Sequence, residues 1–110
     1  MQHNVICTIK QFSGNEKNRT QTSLATAVPV LLTPLSADYV ALYPDLPIGG
    51  SYSFVLYDDS INIPPESELS ITDAEVSEFT TSDKFVVKDL VQKFKVGGRF
   101  LHKGICVKVV

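Results

Sequence analysis

KFVVKDLVQKFKVGGRFLHKGICVKVV, residues 84–110, holds two apolar runs around a Gly-Gly pair. Phe85-Val86-Val87-Lys88-Asp89-Leu90-Val91 reads as a strand that Gln92 to Phe94 prolongs. Val96-Gly97-Gly98-Arg99 is a two-residue hairpin signal, and residues 100–110 form the returning strand. An isolated hairpin is marginal in water, so further strands must cover it.

Upstream, the sequence supplies them. SYSFVLY (residues 51–57) sets Tyr52, Phe54 and Leu56 on one side and ends at Asp58-Asp59. Ile61 and Ile63 alternate once more before Pro64-Pro65. Glu66-Ser67-Glu68-Leu69-Ser70-Ile71 begins another short strand, followed by a loop of Thr, Ser and acids that runs to Asp83. Val28 to Thr33 is apolar and β-branched, with Pro29 favouring an edge or a strand start because it cannot donate to a ladder. Val5, Cys7 and Ile9 alternate in a first strand over residues 4–12. Between these two, residues 13–26 (SGNEKNRTQTSLAT) are polar and carry the turn formers Gly14 and Asn15, which predicts an exposed loop or arm, either a long hairpin connection or a functional extension.

One helix interrupts the pattern. After Pro34, Ser36 is an N-cap, Asp38 lies in the first turn, and Leu35, Tyr39 and Leu42 share one face. Pro44 stops the helix, and Pro47, Gly49 and Gly50 make an irregular loop of the kind that reaches a partner. The period is two elsewhere. About six short antiparallel strands, one short helix, long loops and no βαβ unit predict an all-β fold, a small β-barrel or a sandwich.

At 110 residues and 44% hydrophobic, the chain suits a single β domain over residues 1–110 that builds its core without metal or disulfide staples. Its net charge of −2 excludes a disordered polyelectrolyte and gives no global pull toward nucleic acid or anionic membrane. That sum hides a segregation: residues 1–35 carry +2, residues 36–83 carry −10 without one base, and residues 84–110 carry +6. The start has no basic cluster followed by an apolar stretch, so the protein is expected to stay where it is made. No run approaches 18 apolar residues, so no membrane-spanning helix and no membrane partner is expected.

Chemistry-bearing constellations are sparse. His3-x-x-x-Cys7 and His102-x-x-x-Cys106 repeat one spacing near both ends and suggest a Cys2His2 zinc site. Both segments read as strands, where residues four apart lie about 13 Å apart, whereas zinc donors lie about 2.0–2.3 Å from the metal. The alternatives are two small buried thiols in contact on paired terminal strands, or unrelated positions. Asp58 and Asp59 are adjacent on a strand and point to opposite faces, which suits a solvated strand end better than an acid/base couple. Gly49-Gly50 and Gly97-Gly98 lack a phosphate-loop context. No catalytic residue, cofactor or metal ligand is therefore expected, and the chain does not read as an enzyme.

The basic residues allow a second reading. Lys84, Lys88, Lys93, Lys95, Arg99, Lys103 and Lys108, with Phe94 and Phe100 between them, suit an oligonucleotide-binding type of small barrel that takes single-stranded nucleic acid on its C-terminal strands. Against it stands the acidic isoelectric point, near 5.6. The plainer meaning is that these lysines are the outward positions of amphipathic strands and guard an edge.

From Val28 onward a longer pattern is visible. VPVLLTPLSADYVALYPDLPIGGSYSFVLYDD is an apolar strand, a Pro-Leu-Ser helix start, a loop marked by proline and glycine, and an aromatic strand ending in Asp. INIPPESELSITD is an isoleucine-rich turn and a strand start, and KFVVKDLVQKFKVGGRFLHKGICVKVV is a strand, a short hairpin and a final strand. This order, over 83 of 110 residues, resembles the head-closure or head-to-tail joining (stopper-type) proteins of the tailed-bacteriophage neck. The chain departs from the family pattern at Glu66-Ser67-Glu68, where Gly-Asp is usual, and residues 75–82 lengthen the following turn.

The resemblance implies a structural virion protein that assembles with copies of itself into a ring between the portal or adaptor and the tail. It would help close the filled head while genomic DNA passes through the lumen without sequence-specific binding. It also gives the segregated charge a use, because the acidic face of one copy can meet the basic strands of the next. Ten acids without a base would also suit a channel wall that must not hold DNA. On this expectation the contact residues are Tyr39, Tyr43, Leu46 and Ile48 in the helix and loop of residues 34–50, Asp58 and Asp59 on the acidic side, and Lys93, Lys95, Arg99 and Lys103 on the basic side. The alternative for residues 34–50 is a helix that merely plugs the barrel end. Residues 13–26 are a second candidate, an arm ordered only on assembly.

Overall fold

The computed structural model describes residues 3–13, 20–42, 50–58, 61–64, 66–88 and 91–109. The inward positions that the period-two pattern marks are the positions that are buried. Val5, Cys7 and Ile9 lie on β1 (Val5–Ser13), Phe54 and Leu56 on β3 (Ser51–Tyr57), and Leu69 and Ile71 on β4 (Glu68–Ala74). Phe85 and Val87 lie on β5 (Lys84–Val87) and Cys106 on β7 (Arg99–Lys108), and all ten are at most 2% exposed. The remaining strands are β2 (Thr20–Pro34) and β6 (Gln92–Val96).

Six strands close an antiparallel barrel in the order β3-β2-β1-β4-β5-β7, sealed by β3 against β7 from Ser51↔Val107 to Tyr57↔Leu101. Closure gives every strand of the ring two neighbours and one buried face, which removes the exposed edges of an open sheet. β6 stands outside that ring and pairs with β7 alone. It prolongs β5 along the same side of β7, but five steps on that strand (Val87 to Gln92) match three on β7 (Cys106 to Lys103). Gly97 and Gly98 turn the hairpin with φ of 57° and 83°, the two left-handed residues that a tight type I′ turn requires.

The structure corrects three expectations. Ser13 and residues 20–26 are strand rather than loop: β1 runs to Ser13, β2 starts at Thr20, and the two pair within one chain from Lys10↔Ser23 to Ser13↔Thr20, as a long hairpin does. Residues 14–19 lie outside the described residues. A ribbon wetted on both faces needs no apolar alternation, so its polar sequence disguises its pairing. Two register shifts, one beside Ala27 in the left-handed region at φ 53°, bend this ribbon where it leaves the barrel. Pro29 lies in the part of β2 that β3 does not cover, since their pairing starts at Val30.

The helix, α1 (Ala37–Ala41), has the expected cap: Ser36 Oγ accepts from Tyr39 N–H at 3.2 Å. Its apolar face is different. Val40 is buried, while Tyr39 is partly exposed and Leu42 is 74% exposed, because a helix of five residues inserts one side chain rather than laying down a stripe. Finally, the terminal strands are not paired with each other. β1 lies between β2 and β4, and β7 between β3 and the β5–β6 side, so Cys7 and Cys106 face one barrel interior instead, near enough for Cys7 to act on the Cys106 thiol electrostatically.

Gly104 shows how tightly that interior is filled. A Cβ on it would stand 2.9 Å from both Cε1 and Cζ of Phe54 and 3.4 Å from Val91 Cγ2. Gly104→Ala is expected to cost about 1–3 kcal/mol of overpacking. Adding Phe54→Leu should make the double variant less destabilised than the two single costs together, as neighbours sharing one space do. Urea unfolding checks this, and simple additivity would show that the Phe54 ring is not the obstacle.

Candidate interaction surface

The described interface candidates divide between the two ends of the barrel. Four cations come together: Lys93 and Lys95 on β6 and Arg99 and Lys103 on β7 share one hairpin. The register sorts its side chains. Phe94, Val96, Arg99, Leu101 and Lys103 share one face, and Lys93, Lys95, Phe100 and His102 the other. Each face thus mixes two cations with an aromatic ring. Lys93 lies 4.7 Å from the Phe100 ring centre and donates to Ile61 O and to Asn62 Oδ1, at 3.2 and 3.0 Å. Arg99 lies over the Tyr57 ring at 5.3 Å. Phe94 and Val96 are more than two-fifths exposed.

The hairpin has a firm root. His102, 1% exposed, lies with Nε2 2.9 Å from the Asp58 carbonyl oxygen. A carbonyl only accepts, so Nε2 donates in this contact, and Nδ1 is buried without a hydrogen-bond partner among the described residues. Asp58 N–H donates in turn to Phe100 O at 3.2 Å. Beside this root a shallow cleft of about 420 Å³ is lined by His3, Pro29, Tyr57, Val96, Gly97 and Arg99.

Tyr39 stands at the opposite end. α1 follows the end of β2, where Pro34 faces Tyr52, and Tyr52 faces Cys106 near the end of β7, whereas the hairpin turns at the start of β7. Tyr43, Leu46, Ile48 and Asp59 lie outside the described residues.

The acidic and basic segments meet first within one chain. Lys84 faces Glu68 at 3.9 Å, Lys88 faces Glu66 at 3.7 Å, and Lys108 faces Asp83 at 3.5 Å. The pairs join Lys84 on β5, Lys88 just after it and Lys108 on β7 to residues in or beside β4 and β5. They are half-exposed pairs of small energetic weight, and they are contacts within one chain rather than between copies. His3 and His102 do not converge on a metal: His3 Nε2 pairs with Glu75 at 2.9 Å on the surface, and His102 is engaged with Asp58. Among the described residues no three His, Cys, Asp or Glu side chains gather.

One feature lies inside a stretch whose composition reads only as a Thr/Ser/acid loop. Asp73-Ala74-Glu75-Val76 alternates acid with apolar at the end of β4, and Val76 is 39% exposed. That alternation is the sequence signal for it. Comparison with protein-family models, with curated proteins and with solved structures gives no match.

Proposed function

We propose that this chain is a non-enzymatic, ring-forming joint of a tailed-phage neck, placed in the virion between portal or adaptor and tail around the DNA channel. The observation that carries the reading is β6: a barrel that closes all its other strands keeps one cationic strand outside the ring of pairings, with exposed Phe94 and Val96 beside it. An open edge of this kind is a place for another chain to add.

The test is assembly. Mixed with portal complexes at low salt, the protein is expected to add a ring of density visible by negative-stain imaging. Failure to join any neck assembly would overturn the proposal.

A second reading has its own observation, the interleaving of Lys93, Lys95, Arg99 and Lys103 with Phe94, Phe100 and Tyr57. On that reading a single-stranded oligonucleotide binds at about 50 mM salt, and replacing Lys95 and Lys103 by Gln lowers the salt slope by about 1.4, at roughly 0.7 for each phosphate that a lysine neutralises. No binding at that salt would remove it.

A further inference from the structure

On the ring-forming reading above, we infer that the open edge of β6 in one copy takes residues 72–76 of the next copy, so that an acid-and-apolar strand lies against a base-and-apolar one. The two segments match in kind and in period. On β6, Lys93 and Lys95 point to one face and Phe94 and Val96 to the other. At the end of β4 and in the bend that follows Ala74, Asp73 and Glu75 alternate in sequence with Ala74 and Val76, and Glu75 would exchange its ion pair with His3 for one with a lysine of the next copy. A strand laid along β6 places the two acids opposite the two lysines on one face and apolar side chains against Phe94 and Val96 on the other.

Both edges are available. Among the described residues β6 takes no strand but β7. β4 gives its other side to β1 as far as Ala74, with Glu75 N–H reaching Asn4 O, while its pairing with β5 stops at Ser70 and Ile71 N–H reaches Asp83 O. Among the described residues, the far side of residues 72–76 therefore takes no strand within the chain.

Charge also selects the partner. Two β6 edges meeting each other would set lysine against lysine, which is unfavourable across a strand pair. The contact instead joins two different patches, and such head-to-tail contacts propagate until they close into a ring. One added strand of about five residues makes a small contact, so a single interface is weak and dissociates readily, and ring closure supplies the avidity.

Light scattering and sedimentation of the whole chain test this, with circular dichroism to verify folding. Wild type is expected to self-associate at about 50 mM salt and at least about tenfold more weakly at about 500 mM, as exposed charges are screened. Lys93→Glu/Lys95→Glu and Asp73→Lys/Glu75→Lys should each be monomeric, and mixing them should restore assembly because every interface is again of opposite sign. Lys95→Glu and Asp73→Lys repeat the test with less risk to the fold, since Lys95 makes no hydrogen bond or ion pair among the described residues. Wild-type chains that stay monomeric at low salt, or reversed variants that associate as wild type does, would overturn the interface. If the monomeric variants still join neck assemblies, the interface is wrong and the neck reading survives. If wild type self-associates yet joins no neck assembly, the neck reading fails alone. Binding of an oligonucleotide that displaces self-association, with no rescue on mixing, would assign the edge to nucleic acid instead.

Discussion

Replacing Phe85 by Ala is expected to lower stability by about 3–5 kcal/mol, the usual loss for a fully buried phenylalanine, and the melting temperature by roughly 4 °C for each kcal/mol in a domain of this size. Phe85 is wholly buried and stands edge-on to two other rings, 5.2 Å from Tyr52 and 6.0 Å from Phe79, which are 5.7 Å from each other. These T-shaped contacts add to the area each ring buries. Phe79 belongs to the segment between β4 and β5, so the cluster also holds down the chain that follows residues 72–76. Phe85→Ala should therefore weaken self-association as well as stability, whereas Phe85→Leu should keep most of both. Thermal unfolding followed by circular dichroism decides it. A loss below about 1 kcal/mol would mean that the ring cluster closes no essential part of the core.

Raising the pH should destabilise the protein from about pH 9 upward through its two thiols. Cys7 and Cys106 are fully buried in the barrel interior and are free. Burial pushes the Cys7 thiol up to about 12, and it pushes Cys106 higher still, with the nearby Cys7 adding to the rise. The native state therefore keeps both protons at a pH where the unfolded chain, with thiols near 9, has lost them. Protons bound by the native state but not by the unfolded state make stability fall as pH rises. Their contribution is complete below pH 9 and is lost between about 9 and 12, by up to about 1.4 kcal/mol per pH unit for each thiol. Cys7→Ala/Cys106→Ala should flatten this dependence, because it removes both buried thiol protons. At neutral pH neither thiol should react with a disulfide reagent until the protein is unfolded. Rapid labelling of the native protein, or an unchanged alkaline slope in the double variant, would refute this account.

Part of the candidate surface is legible without the fold. Lys93, Lys95, Arg99 and Lys103 flank a Gly-Gly turn, so a hairpin carrying four cations follows from local sequence. What is not legible is that β6 stays outside the barrel. Its alternation differs little from that of strands that close, and its exclusion depends on β3 reaching the other side of β7. The charge contact expected between copies is partly a contact within one chain for a similar reason. Glu66, Glu68 and Asp83 lie within reach of Lys88, Lys84 and Lys108 only once β4, β5 and β7 are side by side. Residues 20–26 of β2 read as loop because exposed strand pairing leaves no apolar signature.

The sequence alone determined the period of two, and with it most of the barrel strands and the two faces of each, the Gly-Gly hairpin, the capped turn of helix at Ser36 and the segregation of acids from bases along the chain. These are local properties, set by neighbouring residues and by the alternation of side chains across a pleat. Only the tertiary structure decided which edge meets which: the closure of Ser51–Tyr57 on Arg99–Lys108, the opening left at Gln92–Val96, and the placing of two thiols from opposite ends of the chain in one interior. Alternation marks the face of a strand but not its neighbour, and pairing partners far apart in the chain are chosen by how completely the whole barrel can bury its inner side chains.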